Sequence, residues 1–171
     1  MKKIAVFGKP GSGKSTLSKK LAAATGIPLH PLDSIIYTAN GEQVDRSTFD
    51  SKHEAILSSD CWIIDGFGPV TSFFNRLDRA DTLIYIDLPY PISYWLVTKR
   101  MLKGLFVTPE GWPKGSSVIK GSMESYRFLK LSPAFWNETF VKKLEEISKL
   151  KTLYTVRSIS ELNGFVAAHV E

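Results

Sequence analysis

Lys3-Ile4-Ala5-Val6-Phe7-Gly8-Lys9-Pro10-Gly11-Ser12-Gly13-Lys14-Ser15-Thr16 is the stretch on which the reading of this chain turns. Its first five residues are a continuous β-prone run, as expected of a strand covered on both faces in a parallel sheet. Leu17, Leu21 and Ala24 then recur at helical spacing, which predicts a helix from about Lys14 with Gly26 just past its end as the stop signal. Between strand and helix, Gly8 to Ser15 fits G-x-x-x-x-G-K-[ST] in full.

Each part of that pattern has a physical task. The glycines admit backbone angles that a β-carbon forbids, so successive N–H groups converge on phosphate oxygens at the positive end of a helix. Read this way the stretch is a P-loop, and the expected ligand is a nucleoside triphosphate with Mg²⁺. Gly8, Pro10, Gly11, Ser12, Gly13, Lys14, Ser15 and Thr16 make up the phosphate cradle. Lys14 reaches the β- and γ-phosphates, and the Ser15 hydroxyl ligates the metal. The motif alone does not choose among kinase, ATPase, GTPase and motor.

Outward from this stretch the apolar runs repeat. Ile27-Pro28-Leu29 reads as a short second strand, and Ser47 with Asp50 as a capping pair for a helix that turns Phe49, His53, Ile56 and Leu57 inward. Cys61-Trp62-Ile63-Ile64 ends at Asp65-Gly66, and Thr82-Leu83-Ile84-Tyr85-Ile86 ends at Asp87. Helices are predicted over about 92–102, 118–129 and 134–150, then a strand at 153–156 and a helix from Ser158, where Ser158 and Glu161 stand in capping-box spacing. Gly104, Pro109, Gly111, Pro113 and Gly115 punctuate the intervening segment too often for a regular element, and it reads as a lid. Strands alternating with helical runs imply an α/β fold with a parallel sheet and helices on both faces.

The carboxylates at strand ends are the next candidates for chemistry. Asp65 stands where the C-terminal end of a strand faces a ligand crevice, and is expected to hold the metal or its waters. Asp87 competes for that role, but precedes Leu88-Pro89 and reads more simply as leading into a helix. Asp33 emerges at the same end of the sheet. It is expected either to accept the proton of an attacking hydroxyl or to cap the Ser34-Ile35-Ile36-Tyr37 segment. His30 reads as a packed loop histidine and Cys61 as a buried structural thiol.

With 171 residues the chain accommodates one domain, over 1–171. Composition is ordinary for a globular protein, and no run approaches the roughly 20 apolar residues that span a bilayer. The N-terminal apolar run is too short for a signal-peptide core, and one cysteine allows no internal disulfide, so a cytoplasmic location is expected. The formal charge of +5 is concentrated between Lys99 and Lys130, where Lys99, Arg100, Lys103, Lys114, Lys120, Arg127 and Lys130 face only Glu110 and Glu124. Such a concentration draws an anion to one region, whereas nucleic-acid binding calls for a broader basic surface. Phosphoryl transfer spreads negative charge over equatorial oxygens, so Arg100, Lys103 and Arg127 are candidates to close on the phosphates, and Arg76 and Arg79 to meet the acceptor.

Gly8 to Thr16, Leu32-Asp33 with Tyr37, Trp62-Ile63-Ile64-Asp65-Gly66, Arg76-Leu77 followed by Ala80-Asp81, Ile86-Asp87-Leu88-Pro89 and Lys99-Arg100 appear in order. Together they resemble an adenylate-kinase-related P-loop kinase, most closely the DNA topology modulation (FlaR-like) proteins. The resemblance covers most of residues 1–103. It implies a three-layer P-loop NTPase fold with a five-stranded parallel sheet, use of ATP and Mg²⁺, a small lid near 101–120, Asp65 in the metal shell and adenine near Arg157. Adenylate kinases usually continue Asp-Gly-Phe as Pro-Arg, and that arginine binds the acceptor's phosphate. Here Asp65-Gly66-Phe67 continues as Gly68-Pro69.

The expected function is transfer of the γ-phosphoryl group of ATP to a nucleotide or small hydroxylated acceptor by Lys14, Asp33, Arg100 and Arg127. The competing expectation is a regulatory ATP-binding protein or slow NTPase associated with nucleic acid. For the first, the partners are ATP and a small acceptor, without nucleic acid or membrane, and the chain is a monomer or weak dimer.

Overall fold

The structure, a computed structural model, describes residues 1–38, 42–104 and 118–170. Strands β1 (Lys3–Gly8), β2 (Leu29–Pro31), β3 (Trp62–Asp65), β4 (Thr82–Ile86) and β5 (Thr152–Val156) form one sheet in the order β2-β3-β1-β4-β5. Every pairing is parallel, with Val6 opposite both Asp65 and Ile84, and Ile86 opposite Val156. The chain is thus α/β, and β1 lies between the two halves of the sheet.

Alternation along the strands builds a core on each face. Ala5, Phe7, Trp62, Ile64, Leu83 and Tyr85 pack with Phe49 and Leu57 of α3 (Arg46–Leu57), Phe73 and Leu77 of α4 (Val70–Arg79) and Phe140 and Leu144 of α7 (Glu138–Ile147). Ile4, Val6, Ile63, Ile84 and Ile86 pack the other way, against Leu17 and Leu21 of α1 (Lys14–Thr25) and Leu162 and Phe165 of α8 (Ile159–His169). Because both faces are covered, the strands read as continuous apolar runs. The remaining helices are α2 (Asp33–Ile36), α5 (Tyr90–Gly104) and α6 (Val118–Leu131). No described helix is long and apolar enough to cross a membrane.

Several boundaries differ from the sequence reading. β2 is Leu29–Pro31 rather than 27–29, because the chain leaving Gly26 reaches β3 only at Pro28, whose carbonyl accepts from Ile63 N–H at 2.8 Å. His30 therefore lies in an edge strand, not a loop, and an edge strand tolerates the prolines beside it. Asp45, not Ser47, caps α3: its carboxylate accepts from Thr48 N–H at 2.9 Å, while the Ser47 hydroxyl donates to the same oxygen. α5 starts at Tyr90, directly after Pro89. The helix expected over 134–150 is α7 flanked by 3₁₀ turns at Ser132–Ala134 and Ser148–Leu150, since Asn137 takes the cap by accepting from Phe140 N–H at 3.0 Å. Cys61 is half-buried rather than buried. The expected lid, about 101–120, lies outside the described residues from 105 to 117.

His53 faces inward from α3 at 2% exposure, its ring 5.5 Å from that of Phe49, and Nε2 has no hydrogen-bond partner among the described residues. Burial, reinforced by the charge of Arg76, pushes it from 6.5 down to about 4. The unfolded chain therefore binds a proton through that window that the folded chain does not, and stability falls as the pH is lowered from 6.5 toward 4. Urea melts across this range should show the decline in the native sequence and a shallower one in His53→Gln. Equal slopes would assign the titration to another group.

Candidate active site

The turn between β1 and α1 is made of positions that a side chain would break. A β-carbon on Gly8 would lie 2.3 Å from the Ile86 carbonyl oxygen. Gly13, the N-cap of α1, has φ +84° and offers no side chain to cap the helix, and the first turn of α1 holds no acidic residue. The amide end of α1 is consequently left for an external anion.

Lys14 opens α1 and folds back over this turn. Its ammonium donates to the Lys9 carbonyl at 2.7 Å and to Ser12 Oγ at 3.4 Å. Burial lowers its pKa, while the carboxylates of Asp65 and Asp33 work against that and Arg100 adds to it. Ser15 and Thr16 follow, exposed on the first turn of α1.

Asp65 closes β3 at 5% exposure. Burial raises its carboxyl pKa; the Lys14 ammonium, the Ser15 hydroxyl and Arg76 pull it back, and Asp33 adds to the rise. Oδ1 has no hydrogen-bond partner among the described residues. The Asp65 carbonyl accepts from Leu32 N–H at 2.8 Å, and this bond delivers Asp33, the next residue, to the same end of the sheet. Leu32 occupies the N-cap of α2 and no side chain caps it, so Asp33 is not the cap; its exposed carboxylate instead acts on Lys14, Asp65, Arg100 and Tyr37.

Arg100 reaches this group from α5. It is half-buried, near Asp33, and its Nη2 donates to Ser125 Oγ of α6 at 2.7 Å. α5 and α6 are also joined by a Thr98–Tyr126 hydroxyl pair at 2.5 Å and by stacking of Tyr94 on Tyr126. The structure thus brings together Lys14, Ser15, Asp65, Asp33 and Arg100. Arg127 and Lys103 are exposed on α6 and α5, and among the described residues no contact joins either to that group. Arg157, after β5, donates its backbone N–H to Glu161 at 2.8 Å, and its charge is felt by Tyr85.

The two arginines assigned to the acceptor side are placed otherwise. Arg79 pairs with Glu54 of α3 at 2.8 Å. Arg76 is fully buried, its Nη2 donating to the carbonyls of Gly66 at 2.8 Å and Phe67 at 3.1 Å, because the apolar face of α4 that carries Phe73 and Leu77 carries it too. Burial pushes it down to about 9, leaving it cationic at neutral pH. Sequence reading missed one pairing entirely: Lys9, at a variable position of the motif, is buried with its ammonium against Asp87 and 4.7 Å from the centre of the Tyr90 ring. Two clefts elsewhere, of about 430 Å³ beside His30 and Cys61 and about 270 Å³ between β5 and α8, contain none of the clustered residues.

No protein-family model matches the chain, and no curated protein matches it at a significant level. The site is therefore read from its own geometry. Lys14→Met removes a charge that burial disfavours, so the fold should persist with an unchanged thermal midpoint. Binding of a fluorescent triphosphate analogue should weaken by about tenfold or more, equivalent to about 1.4 kcal/mol. Unchanged affinity in a folded variant would take the turn out of ligand binding.

Proposed function

We propose that the chain is a small P-loop kinase of the adenylate-kinase-like class, which moves the γ-phosphoryl group of ATP to a nucleotide or small hydroxylated acceptor. The observation that carries this reading is the convergence of Lys14, Ser15, Asp65 and Asp33 on the uncapped amide end of α1, beyond the carboxyl ends of β1 and β3. In an open parallel sheet that is where ligands bind, at the point where strand order reverses.

The residues divide the work by their chemistry. The turn from Gly8 to Ser15 offers backbone N–H groups to the phosphates, and Lys14 exchanges its contact with the Lys9 carbonyl for phosphate oxygens. Mg²⁺, when bound, neutralises charge on the transferred group; Ser15 and Asp65 would hold it, directly or through water. Asp65 fits that task because it is buried with an oxygen that has no partner among the described residues. Those residues contain no cluster of three His, Cys, Asp or Glu able to hold a metal. A nucleotide-bound Mg²⁺ needs none, since phosphate and water supply most of its ligands. Asp33, exposed beside Lys14, accepts the acceptor's proton, and Arg100 and Arg127 draw charge from the transferred group as α5 and α6 approach it. Arg157 borders the adenine, and a cytoplasmic supply of ATP completes the reading.

The decisive assay is ADP release with ATP and Mg²⁺ across nucleoside monophosphates, nucleosides and hydroxylated metabolites. Strong stimulation by one compound is expected. A flat panel with slow background hydrolysis would favour a regulatory ATP-binding protein or slow NTPase instead. With the stimulating acceptor, Asp33→Asn should lower kcat by about 100-fold, the range of a lost general base, and leave ATP affinity within about twofold. Parallel loss of both would make Asp33 structural.

A further inference from the structure

Among the described residues Arg76 is the one fully buried arginine, and burying a guanidinium is costly unless its charge and donors are used. Among the described residues its hydrogen bonds go to two groups, the carbonyls of Gly66 and Phe67, both through Nη2. Nε and Nη1 have no hydrogen-bond partner among the described residues. A neutral donor such as a glutamine amide could serve two carbonyls with less desolvation, so the hydrogen bonds alone do not account for a cation here. The charge acts on Asp65, the residue immediately before the braced carbonyls, whose Oδ1 also has no partner among the described residues.

The turn that Arg76 braces needs support. Gly66 has φ +125° and Gly68 φ +65°, so the backbone reverses within residues that have no side chains to pin it. On the sheet side it is held by Gly66 N–H donating to the Val6 carbonyl at 3.2 Å. On the other side the hold is Arg76, which stands on a rigid helix with its guanidinium 5.4 Å from the centre of the Phe73 ring.

Resting on the nucleotide-site reading above, we propose that Arg76 is a positioning residue for Asp65: it braces the Gly66–Phe67 turn and sets a fixed positive charge behind the carboxylate, so that Asp65 presents its unpartnered oxygen to Mg²⁺ without reorganising. Arg76 touches neither nucleotide nor acceptor. Its contribution is confined to the metal-dependent part of binding and turnover, whereas Lys14 and the glycine turn act on the phosphates with or without metal.

The test measures affinity for a fluorescent ATP analogue at a series of Mg²⁺ concentrations, from chelated to saturating, in the native chain, Arg76→Met and Arg76→Lys. Circular dichroism and thermal melts are run alongside. For the native chain affinity should rise with Mg²⁺. Arg76→Met should keep its Mg²⁺-free affinity within about twofold and lose most of the metal-dependent gain, with half-saturation moved to at least about tenfold higher Mg²⁺. Arg76→Lys, which restores the charge but not the two-carbonyl brace, should fall between. A folded Arg76→Met or Arg76→Lys with the native Mg²⁺ dependence overturns the inference. Loss of fold in both variants overturns it too, making Arg76 a folding requirement. Failure of the native chain to bind the analogue at any Mg²⁺ concentration would instead overturn the nucleotide reading, and this inference with it.

Discussion

At Gly8 the central strand ends so close to its neighbour that the Ile86 carbonyl occupies the space a side chain would need. The obstacle is backbone in register with it, Gly8 opposite Ile86, so no rotamer change could relieve the clash. Any larger residue would wedge β1 from β4 at the place where the sheet divides. The site inherits its geometry from that contact. The chain leaves the sheet from its middle, α1 begins within a few residues, and Lys14 lies beside Asp65, whose strand pairs with β1 through Val6.

Around this turn charges of opposite sign, several of them buried, are grouped together rather than avoided. Lys9 meets Asp87; Lys14 lies near Asp65 and Asp33; Arg76 stands behind Asp65. Burying ions this way contributes little to stability compared with apolar packing of the same volume. The apolar packing is placed in the cores on the two faces of the sheet, one of which holds the aromatic cluster where Phe7 and Tyr85 stack with Trp136, and Phe73 and Phe140 close the edge. The two cores supply stability, and the carboxyl ends of the strands are left free to hold charge.

How much of this was legible in sequence follows from the range over which each interaction acts. β1, β3 and β4 were readable because both their faces are buried, which leaves a nearly uninterrupted apolar run, and β5, a half-buried edge strand, from its short run Leu153 to Val156. The Gly8–Ser15 turn was readable because its constraints are local. The cap of α3 was misread by two residues, since Asp45, Ser47 and Asp50 all suit a helix start and only hydrogen bonding separates them. Arg76 was assigned to the acceptor because phosphoryl transfer calls for cations and an arginine is ordinarily accessible. Its burial depends on how α4 rotates onto β1, a contact between segments far apart in the chain. The Lys9–Asp87 pair was invisible for the same reason, being set by the approach of the first turn to the end of β4.

On the proposed kinase reading, the same rotation of α4 bears on what the acceptor would be. Of the three arginines on α3 and α4, Arg76 is taken up by the turn, Arg79 by Glu54, and Arg46 by Asp50 and Ser72. The turn itself continues as Gly68-Pro69, with no cation of its own. The arginines of that wall are therefore already engaged. An acceptor with a phosphate would have to find its counter-charge on α5 and α6, where Arg100 already lies near Asp33. A hydroxyl acceptor makes no such demand: it needs a carboxylate within reach of its proton and a phosphoryl group held still beside it. Asp33 and Lys14, brought to the same end of the sheet by the Leu32–Asp65 backbone bond and by the Gly8 turn, offer that arrangement without another cation from the wall.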